Sequence, residues 1–257
     1  MDLQLEDKRF LVLGASRGLG RAVARALTDE GARVIVAARS EEGVRAVASE
    51  LGERAWPLVL DVAQEDAGDV AVDAVEESFA GMLDGILLNS GGPPPGAALD
   101  LTDADWDTAF GMLVKGPLRI LRALRPFLRD GASILWVTSS SVRQPIGGLD
   151  TSNLLRPGIA ALCTSLAREL GPAVRVNSIA PGRFDTDRVR ALDAGRAERS
   201  GTTIEEQQAA AAAEIPLGRY GDPAELGRAA AFLLSPAASY LTGVALQADG
   251  GLVTAVP

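Results

Sequence analysis

Near the amino terminus the chain reads Phe10-Leu11-Val12-Leu13-Gly14-Ala15-Ser16-Arg17-Gly18-Leu19-Gly20, and this segment determines the fold that we expect. Four apolar residues predict a buried strand, and a helical pattern begins directly after the glycines. Glycine lets the backbone approach a pyrophosphate closely, and the start of a helix supplies amide donors and a favourable dipole. The spacing, Gly-x-x-x-Gly-x-Gly, differs from the usual dinucleotide fingerprint, Gly-x-Gly-x-x-Gly. The segment therefore predicts a dinucleotide-binding turn, and a turn with a purely structural role is the alternative.

Short aliphatic runs alternate with helical patterns along the rest of the chain. The predicted strands cover residues 9–13, 33–38, 55–60, 85–89, 133–138, 174–179 and 244–247. The predicted helices cover about residues 18–30, 41–51, 64–80, 103–129, 152–170 and 223–234. Continuous apolar strands such as residues 134–137 are typical of burial on both faces of a sheet. The pattern predicts an α/β Rossmann fold in one domain over residues 1–257, with a doubly wound, seven-stranded parallel sheet and helices on both faces.

Residues 188–214, which we call the lid segment, lack a strand pattern and are rich in Ala, Arg and Glu. The segment follows the carboxyl end of a predicted strand, where ligands bind in folds of this class. We expect a small helical lid over a substrate pocket. A helical insertion on the surface is the alternative.

The composition excludes several kinds of site. The chain has no histidine and one cysteine, which excludes a histidine general base, imidazole-ligated zinc, an intrachain disulfide and a CxxC motif. We predict no metal site, and Cys163 stands in an apolar helical pattern that favours a place in the core. The net charge of −9 argues against nucleic acid or an anionic membrane as a partner. The acidic start, and the lack of an apolar run near ~18 residues, predict a cytoplasmic protein without a membrane span.

The end of the second predicted strand indicates which dinucleotide binds. An NAD site places a carboxylate there, but this chain reads Ala37-Ala38-Arg39-Ser40. A guanidinium at that point suits a 2′-phosphate, and Arg17 in the glycine loop could contact the same phosphate. The pair predicts NADP(H) in preference to NAD(H). The alternative is that both arginines are ordinary solvated surface residues.

Further motifs extend the pattern over most of the chain. They are Asp61-Val62 after strand three, Asn89-Ser90-Gly91 after strand four, Arg175-Val176-Asn177-Ser178-Ile179-Ala180-Pro181-Gly182, Ile215-Pro216-Leu217-Gly218-Arg219, Leu241-Thr242-Gly243 and Asp249-Gly250-Gly251. With the glycine loop, they make residues 6–252 similar to short-chain dehydrogenases/reductases of the type related to 3-oxoacyl-carrier-protein reductases. The resemblance implies a small-molecule carbonyl or alcohol substrate. It also implies self-association as a homotetramer or homodimer through the helices at 103–129 and 152–170.

The resemblance also implies a set of cofactor contacts. The pyrophosphate would lie on the loop formed by Gly14, Ser16, Arg17, Gly18, Leu19 and Gly20. Asp61 and Val62 would contact the adenine, Asn89 would lie beside the ribose with Gly91 following it, and Pro181, Gly182 and Thr186 would pass the nicotinamide amide. A helix cap is a second role for the Asp61 carboxylate, compatible with the first.

The chain departs from this family at its catalytic groups, which are an asparagine, a serine, a tyrosine and a lysine. The corresponding positions hold Leu113, Ser139, Ser152 and Arg156, so that only the serine is kept. A phenol of pKa near ~10 can deliver a proton to the developing alkoxide, whereas a serine hydroxyl is far less acidic and arginine rarely loses its proton. We therefore expect an oxidoreductase with an altered proton path, in which Ser139, Ser152 and Arg156 form the catalytic site.

Two alternatives follow from the missing phenol. A carboxyl group of Asp150, Asp185 or Asp187 could act as the acid if burial raised its pKa. The other alternative is a catalytically impaired protein that senses NADP(H) or another ligand. The stiff segment Gly91-Gly92-Pro93-Pro94-Pro95-Gly96, which we call the proline loop, is expected to be a rigid loop, or one wall of a binding pocket.

Overall fold

A single parallel sheet forms the centre of the molecule in a computed structural model that describes residues 1–255. Within those residues its strands are β1 (Arg9–Leu13), β2 (Arg33–Ala38), β3 (Ala55–Val59), β4 (Leu83–Leu88), β5 (Leu128–Val137), β6 (Val174–Pro181) and β7 (Ala245–Ala248). The strand order is β3-β2-β1-β4-β5-β6-β7, and every neighbouring pair is parallel. The order reverses between β1 and β4, and ligands bind at the carboxyl ends of strands at such a point.

Helices cover both faces of this sheet. They are α1 (Gly18–Asp29), α2 (Glu41–Leu51), α3 (Ala67–Phe79), α4 (Asp103–Phe110), α5 (Gly116–Leu124), α6 (Asp150–Leu170), α7 (Asp187–Ser200), α8 (Ile204–Ala213) and α9 (Pro223–Leu234). Because side chains alternate along a strand, Leu11 and Leu13 of β1 enter the apolar cluster beneath α3, α5 and α6. Phe10 and Val12 enter the cluster beneath α1, α2 and α9. The predicted doubly wound, seven-stranded fold is confirmed.

Several predicted boundaries are wrong. The pattern over residues 103–129 contains α4, a π-helical turn at Gly111–Lys115 and α5, and α5 ends at Leu124. Pro126 has no amide hydrogen to continue the ladder, and the chain passes through one 3₁₀ turn into β5. Strand β5 therefore begins at Leu128, inside the predicted helix. Helix α3 begins at Ala67, three residues later than predicted.

The lid segment is helical and consists of α7 and α8. Thr186 caps α7 by accepting a hydrogen bond from the Val189 amide, and Thr203 forms a reciprocal capping box with Glu206 at the start of α8. In α8 only Ala211 is buried among its described side chains, so this helix packs lightly. Closure of the segment over a pocket stays a prediction.

The sole cysteine lies in the core, as predicted. Cys163 on α6 is buried beneath the sheet, and burial raises the pKa of its thiol to about 12. Among residues 1–255, no helix is long and apolar enough to span a bilayer. The same residues hold no cluster of three or more Asp, Glu or Cys that could bind a metal ion.

Candidate active site

The glycine loop joins β1 to α1 through an unusually close backbone turn. Gly14 has φ of +63°, and a Cβ placed there would lie 2.7 Å from the side-chain nitrogen Nδ2 of Asn89. A Cβ on Gly20 would overlap the carbonyl oxygen of Gly14. The Asn89 side-chain amide donates to that same oxygen at 3.3 Å, which ties the end of β4 to the turn. The glycines are therefore required for the turn, whether or not a ligand binds to it.

The amino terminus of α1 differs from those of five other helices in the described chain. Helices α2, α4, α7, α8 and α9 each begin with a Ser, Thr or Asp side chain that accepts a backbone N–H. Within the described residues, α1 has neither such a cap nor an acidic residue in its first turn. Its first amides therefore lack a side-chain acceptor, and together with the helix dipole they suit an anion.

Asp61 and Val62 follow β3 at the same edge of the sheet. The Asp61 carboxylate accepts the Ala63 amide at 3.0 Å and so fixes the turn. It does not cap a helix, because α3 begins at Ala67 with Asp66 at its N-cap position. The helix-cap alternative for Asp61 is therefore wrong.

The two arginines predicted to bind a 2′-phosphate are both exposed. Arg17 borders a cavity of about 660 Å³ between α1, α9 and the loop after β6, and Gly18 and Thr186 border it too. Arg39, which follows β2, does not line this cavity, and Ser139 does not line it either. The cavity therefore meets the predicted site only along one border, and a phosphate shared by the two arginines stays a prediction.

Three serines form the centre of the predicted catalytic site, and we call Ser139, Ser141 and Ser152 the serine cluster. The Ser139 hydroxyl oxygen accepts the Ser141 amide at 3.1 Å. The Ser141 and Ser152 hydroxyl oxygens lie 3.1 Å apart, and both side chains are buried. Ser139 and Ser152 are thus linked through Ser141, and their catalytic role stays a prediction. Ser141, which the sequence analysis does not single out, lies between Ser139 and Ser152 along the chain of hydrogen bonds.

Arg156, one helical turn after Ser152 on α6, is a buried cation. It is 7% exposed, and it donates a hydrogen bond to the carbonyl oxygen of Val137 at the end of β5. Its Nε has no partner within residues 1–255. Burial, and secondly the positive charge of Arg188, lower the pKa of Arg156 to about 10. The guanidinium is therefore still charged at neutral pH.

The proline loop connects the start of α6 with the lid segment. The Pro94 carbonyl accepts the Thr151 hydroxyl at 3.0 Å, and the Pro93 carbonyl accepts a guanidinium N–H of Arg188 at 2.9 Å. The Gly96 amide donates to Gly148 at 2.8 Å. The loop is therefore held on two sides, and it forms the bridge between α6 and α7.

The carboxyl groups considered as replacement acids all have partners. Asp150 accepts the Ala98 amide at 2.9 Å and the Asn153 side chain at 2.8 Å. Asp185 pairs with Arg190 at 2.8 Å, and Asp187 lies 3.5 Å from the same guanidinium. None of these contacts links a carboxyl group to the serines of the cluster, so the structure does not support any of the three as the proton donor.

Among the described residues, neither tyrosine is hydrogen-bonded to the serine cluster. The Tyr220 hydroxyl donates to Asp193 at 2.9 Å, and Tyr240 is fully exposed. Neither ring belongs to the hydrogen bonds of the serine cluster. Leu113 is fully buried in the π-helical turn, whereas Lys115 is exposed on another face.

Comparison with known proteins identifies the family. A family model described as enoyl-(acyl carrier protein) reductase matches residues 14–253. The 3-oxoacyl-[acyl-carrier-protein] reductase FabG of Vibrio cholerae serotype O1 is 32% identical over 254 residues, which cover 97% of this chain and 99% of that protein. The chain belongs to the short-chain dehydrogenase/reductase family. The resemblance inferred from the motifs is thereby confirmed.

Two solved structures are particularly similar to this chain. The L-sorbose reductase of Gluconobacter frateurii, in complex with NADPH and L-sorbose, has a TM-score of 0.94 and 27% identity, with full coverage of both chains. The NADPH-bound short chain oxidoreductase of Pseudomonas aeruginosa PAO1, which contains an atypical catalytic center, has a TM-score of 0.86 and 30% identity. That match covers 98% of this chain and 100% of the other.

Sequence reasoning missed one residue of this short-chain dehydrogenase/reductase site. Arg188 was assigned only to the lid segment, and it lies two residues beyond the predicted nicotinamide contact Thr186. Only the folded chain brings it to Pro93, which is 95 residues away in sequence. The proximity to Thr186 was the one available signal. The cofactor contacts assigned to Gly91, Pro181, Gly182 and Thr186 stay predictions.

Proposed function

We propose that the protein is an NADP(H)-dependent oxidoreductase that interconverts a carbonyl compound and an alcohol. The observation that carries the proposal is the uncapped start of α1 behind the glycine loop, at the edge of the sheet where the serine cluster lies. The residues present fit a pyrophosphate there, because amides without side-chain acceptors face a turn where a side chain at Gly14 or Gly20 would collide with the backbone. Two related structures contain NADPH, which supports the same cofactor here.

The remaining contacts follow from positions around this edge. In the proposal, the adenine lies on Asp61 and Val62, the ribose beside Asn89 and Gly91, the nicotinamide on Pro181, Gly182 and Thr186, and the 2′-phosphate between Arg17 and Arg39. Neither arginine forms an ion pair with a described residue, so both can bind a phosphate. When bound, NADPH supplies the hydride.

The serine cluster supports an altered route for the proton. The Ser139 hydroxyl accepts the Ser141 amide, so its own hydrogen is available to the carbonyl oxygen of a substrate. Ser152 stands where relatives place the phenol, but its hydroxyl lies against Ser141. We therefore assign hydrogen bonding of the carbonyl to Ser139, positioning to Ser152, positive charge to Arg156 and delivery of the proton to water.

We predict slow but measurable carbonyl reduction. Because general acid catalysis is worth about 10²–10⁴-fold, kcat should lie lower by that factor than in relatives with the phenol. The measurement is substrate-dependent consumption of NADPH over a panel of carbonyl compounds, against a blank without substrate. Ser139→Ala should lower kcat by about tenfold or more with little change in the NADPH dissociation constant. Tight NADPH binding without turnover on any compound would contradict the assignment as an enzyme.

A sensor of NADP(H) is the second candidate. The contact between the Ser152 and Ser141 hydroxyls favours it, because the position of the usual acid is occupied by a buried hydroxyl pair that hardly donates protons. Calorimetry separates the two candidates, since both require dinucleotide binding and only the enzyme requires turnover. Loss of dinucleotide binding altogether would defeat both.

The preference for NADP(H) gives a direct prediction. Arg17→Ala with Arg39→Ala should weaken NADPH binding by about 100-fold or more, because each variant removes a charge-assisted hydrogen bond of about 1.5–3 kcal/mol to the 2′-phosphate. The NADH dissociation constant should change little. The matched control is Arg122→Ala, an exposed arginine on α5. Equal weakening of NADH and NADPH would show that the arginines contact another part of the dinucleotide.

We further propose that the protein acts in the cytoplasm as a homodimer or homotetramer. Phe110 on α4 and Leu154 on α6 support self-association, because both are large apolar side chains, 45% and 63% exposed, on helices predicted to pair. The lid segment is proposed to cover the substrate, since Arg188 on α7 already contacts the proline loop.

A further inference from the structure

Two arginines beside the serine cluster lack a carboxylate partner among the described residues. Arg156 is buried, and its Nε has no acceptor within residues 1–255. Arg188 is exposed, and it donates a hydrogen bond to the Pro93 carbonyl. Carbonyl oxygens accept hydrogen bonds but do not neutralise a charge. A buried guanidinium without a counterion is costly, so a site that keeps one is suited to an anion.

The proline loop links the two helices that carry these cations. Its consecutive carbonyls, Pro93 and Pro94, bind Arg188 of α7 and Thr151 of α6 respectively. Ser152 follows Thr151 directly, and Arg156 lies one turn further along α6, on the same side of the helix as Ser152. The two cations come from α6 and from the lid segment, and they are near enough for the charge of Arg188 to contribute to the lowered pKa of Arg156.

The carboxylates of the neighbouring segments do not neutralise this charge. Asp150 is satisfied by the Ala98 amide and Asn153, and Asp185 and Asp187 face Arg190. Asp193, the buried acid of α7, pairs with Arg183 and accepts the Tyr220 hydroxyl. Within residues 1–255, Arg156 and Arg188 therefore keep two positive charges without a carboxylate partner, in a protein whose net charge is −9.

We propose that Arg156 and Arg188 bind a carboxylate of the substrate, so that the substrate is an oxo acid and the product is a hydroxy acid. The inference rests on the proposed function. In the reaction, hydride from NADPH forms the new C–H bond, the carbonyl π electrons move to oxygen, and a proton from water completes the hydroxyl. NADPH is oxidised to NADP⁺, and the carboxylate is unchanged.

A phosphate group has the same hydrogen-bonding chemistry, but the position of the arginines favours the substrate. The proposed pyrophosphate site lies on α1 at the glycine loop, whereas Arg156 bonds to Val137, two residues before Ser139. An anion at Arg156 therefore lies close to the carbonyl held by Ser139. One molecule that carries both groups satisfies both contacts, and arginine suits the planar carboxylate.

The test measures binding of pyruvate, 4-oxopentanoate, their methyl esters and inorganic phosphate by ligand-observed NMR, with and without NADPH. The variants are Arg156→Gln and Arg188→Gln, and the matched control is Arg199→Gln, an exposed arginine on the same helix as Arg188. At least one oxo acid should bind about tenfold or more tightly than its ester, and either variant should remove that difference. The control should retain it, and the NADPH dissociation constants of Arg188→Gln and of the control should stay within about twofold of the wild-type value.

Each other result has a definite meaning. Equal binding of acids and esters overturns the proposal, and so does phosphate binding that exceeds the binding of every oxo acid. If Arg156→Gln loses NADPH instead, Arg156 belongs to the cofactor site and the proposal fails. If the wild-type protein binds oxo acids selectively but not NADPH, the proposed function fails while the carboxylate site stands. Arg188→Gln changes an exposed side chain and keeps the test decisive if the Arg156 variant does not fold.

Discussion

Gly20→Ala is expected to lower the free energy of unfolding by about 3 kcal/mol and to abolish NADPH binding. The new methyl group would overlap the Gly14 carbonyl oxygen and press on the Asn89 side chain, so both the turn and the end of β4 must shift. Such a shift moves the amides of α1 away from the proposed pyrophosphate. Urea denaturation measures the first effect, and titration calorimetry measures the second.

The matched control is a glycine inside another helix. A Cβ on Gly158 in α6 meets nothing within 4 Å, so Gly158→Ala should raise stability by about 0.5–1 kcal/mol. It should leave NADPH affinity unchanged. Normal stability and normal NADPH affinity in the Gly20 variant would show that the turn adapts, and would remove the steric argument for the glycine loop.

Asp193→Ala is expected to cost about 3–5 kcal/mol, because it breaks a buried ion pair by removing one partner. Asp193 is fully buried on α7, and it pairs with Arg183 while accepting the Tyr220 hydroxyl at 2.9 Å. The guanidinium carbon of Arg183 also lies 5.1 Å from the centre of the Tyr220 ring. The Nε atom of Arg183 has no acceptor in the described chain. Removal of the carboxylate leaves the partly buried Arg183 cation without its partner, and it removes the contacts of α7 with Arg183 and Tyr220.

Hydrogen exchange should show this loss first in the lid segment, with faster exchange of the amides of α7 and α8. Glu198→Ala, an exposed acid on the same helix, serves as the control and should change stability by less than about 0.5 kcal/mol. The loss of stability in Asp193→Asn should lie between the losses in these two variants, since the amide oxygen can still accept a hydrogen bond. Unchanged exchange in α7 after Asp193→Ala would mean that other contacts hold the lid segment.

The sheet and its order of elements could be predicted because they depend on local patterns. Apolar runs such as residues 86–88 and glycines directly after β1 determine where a parallel sheet must turn. The boundary between α5 and β5 could not be predicted, because residues 103–129 keep a helical pattern across Pro126. The break there depends on one missing amide and on the pairing of Leu128 with Leu83 of β4.

The candidate site was predictable only where its members lie near each other in sequence or follow the carboxyl ends of strands. Ser139, Ser152 and Arg156 fall within 18 positions. In the fold, the two serines are linked through Ser141, and Arg156 bonds to Val137, two residues before Ser139. The hydrogen bond between Arg188 and Pro93 joins the segments that follow β6 and β4, which are two places apart in the sheet order, and no periodicity encodes it. The charge balance around Arg156 and Arg188 has the same origin, since it depends on which carboxylates find partners after folding.

The single thiol in this chain gives the molecule an internal reporter. Cys163 lies on the same helix as Arg156, seven residues further along and sealed beneath the sheet. With its pKa raised to about 12, it is almost entirely in the unreactive protonated form at neutral pH. An alkylating reagent can therefore reach it only when α6 separates from the strands. The rate of labelling therefore measures how often α6 opens. A ligand that binds to Arg156 and stabilises this helix should slow the labelling of Cys163.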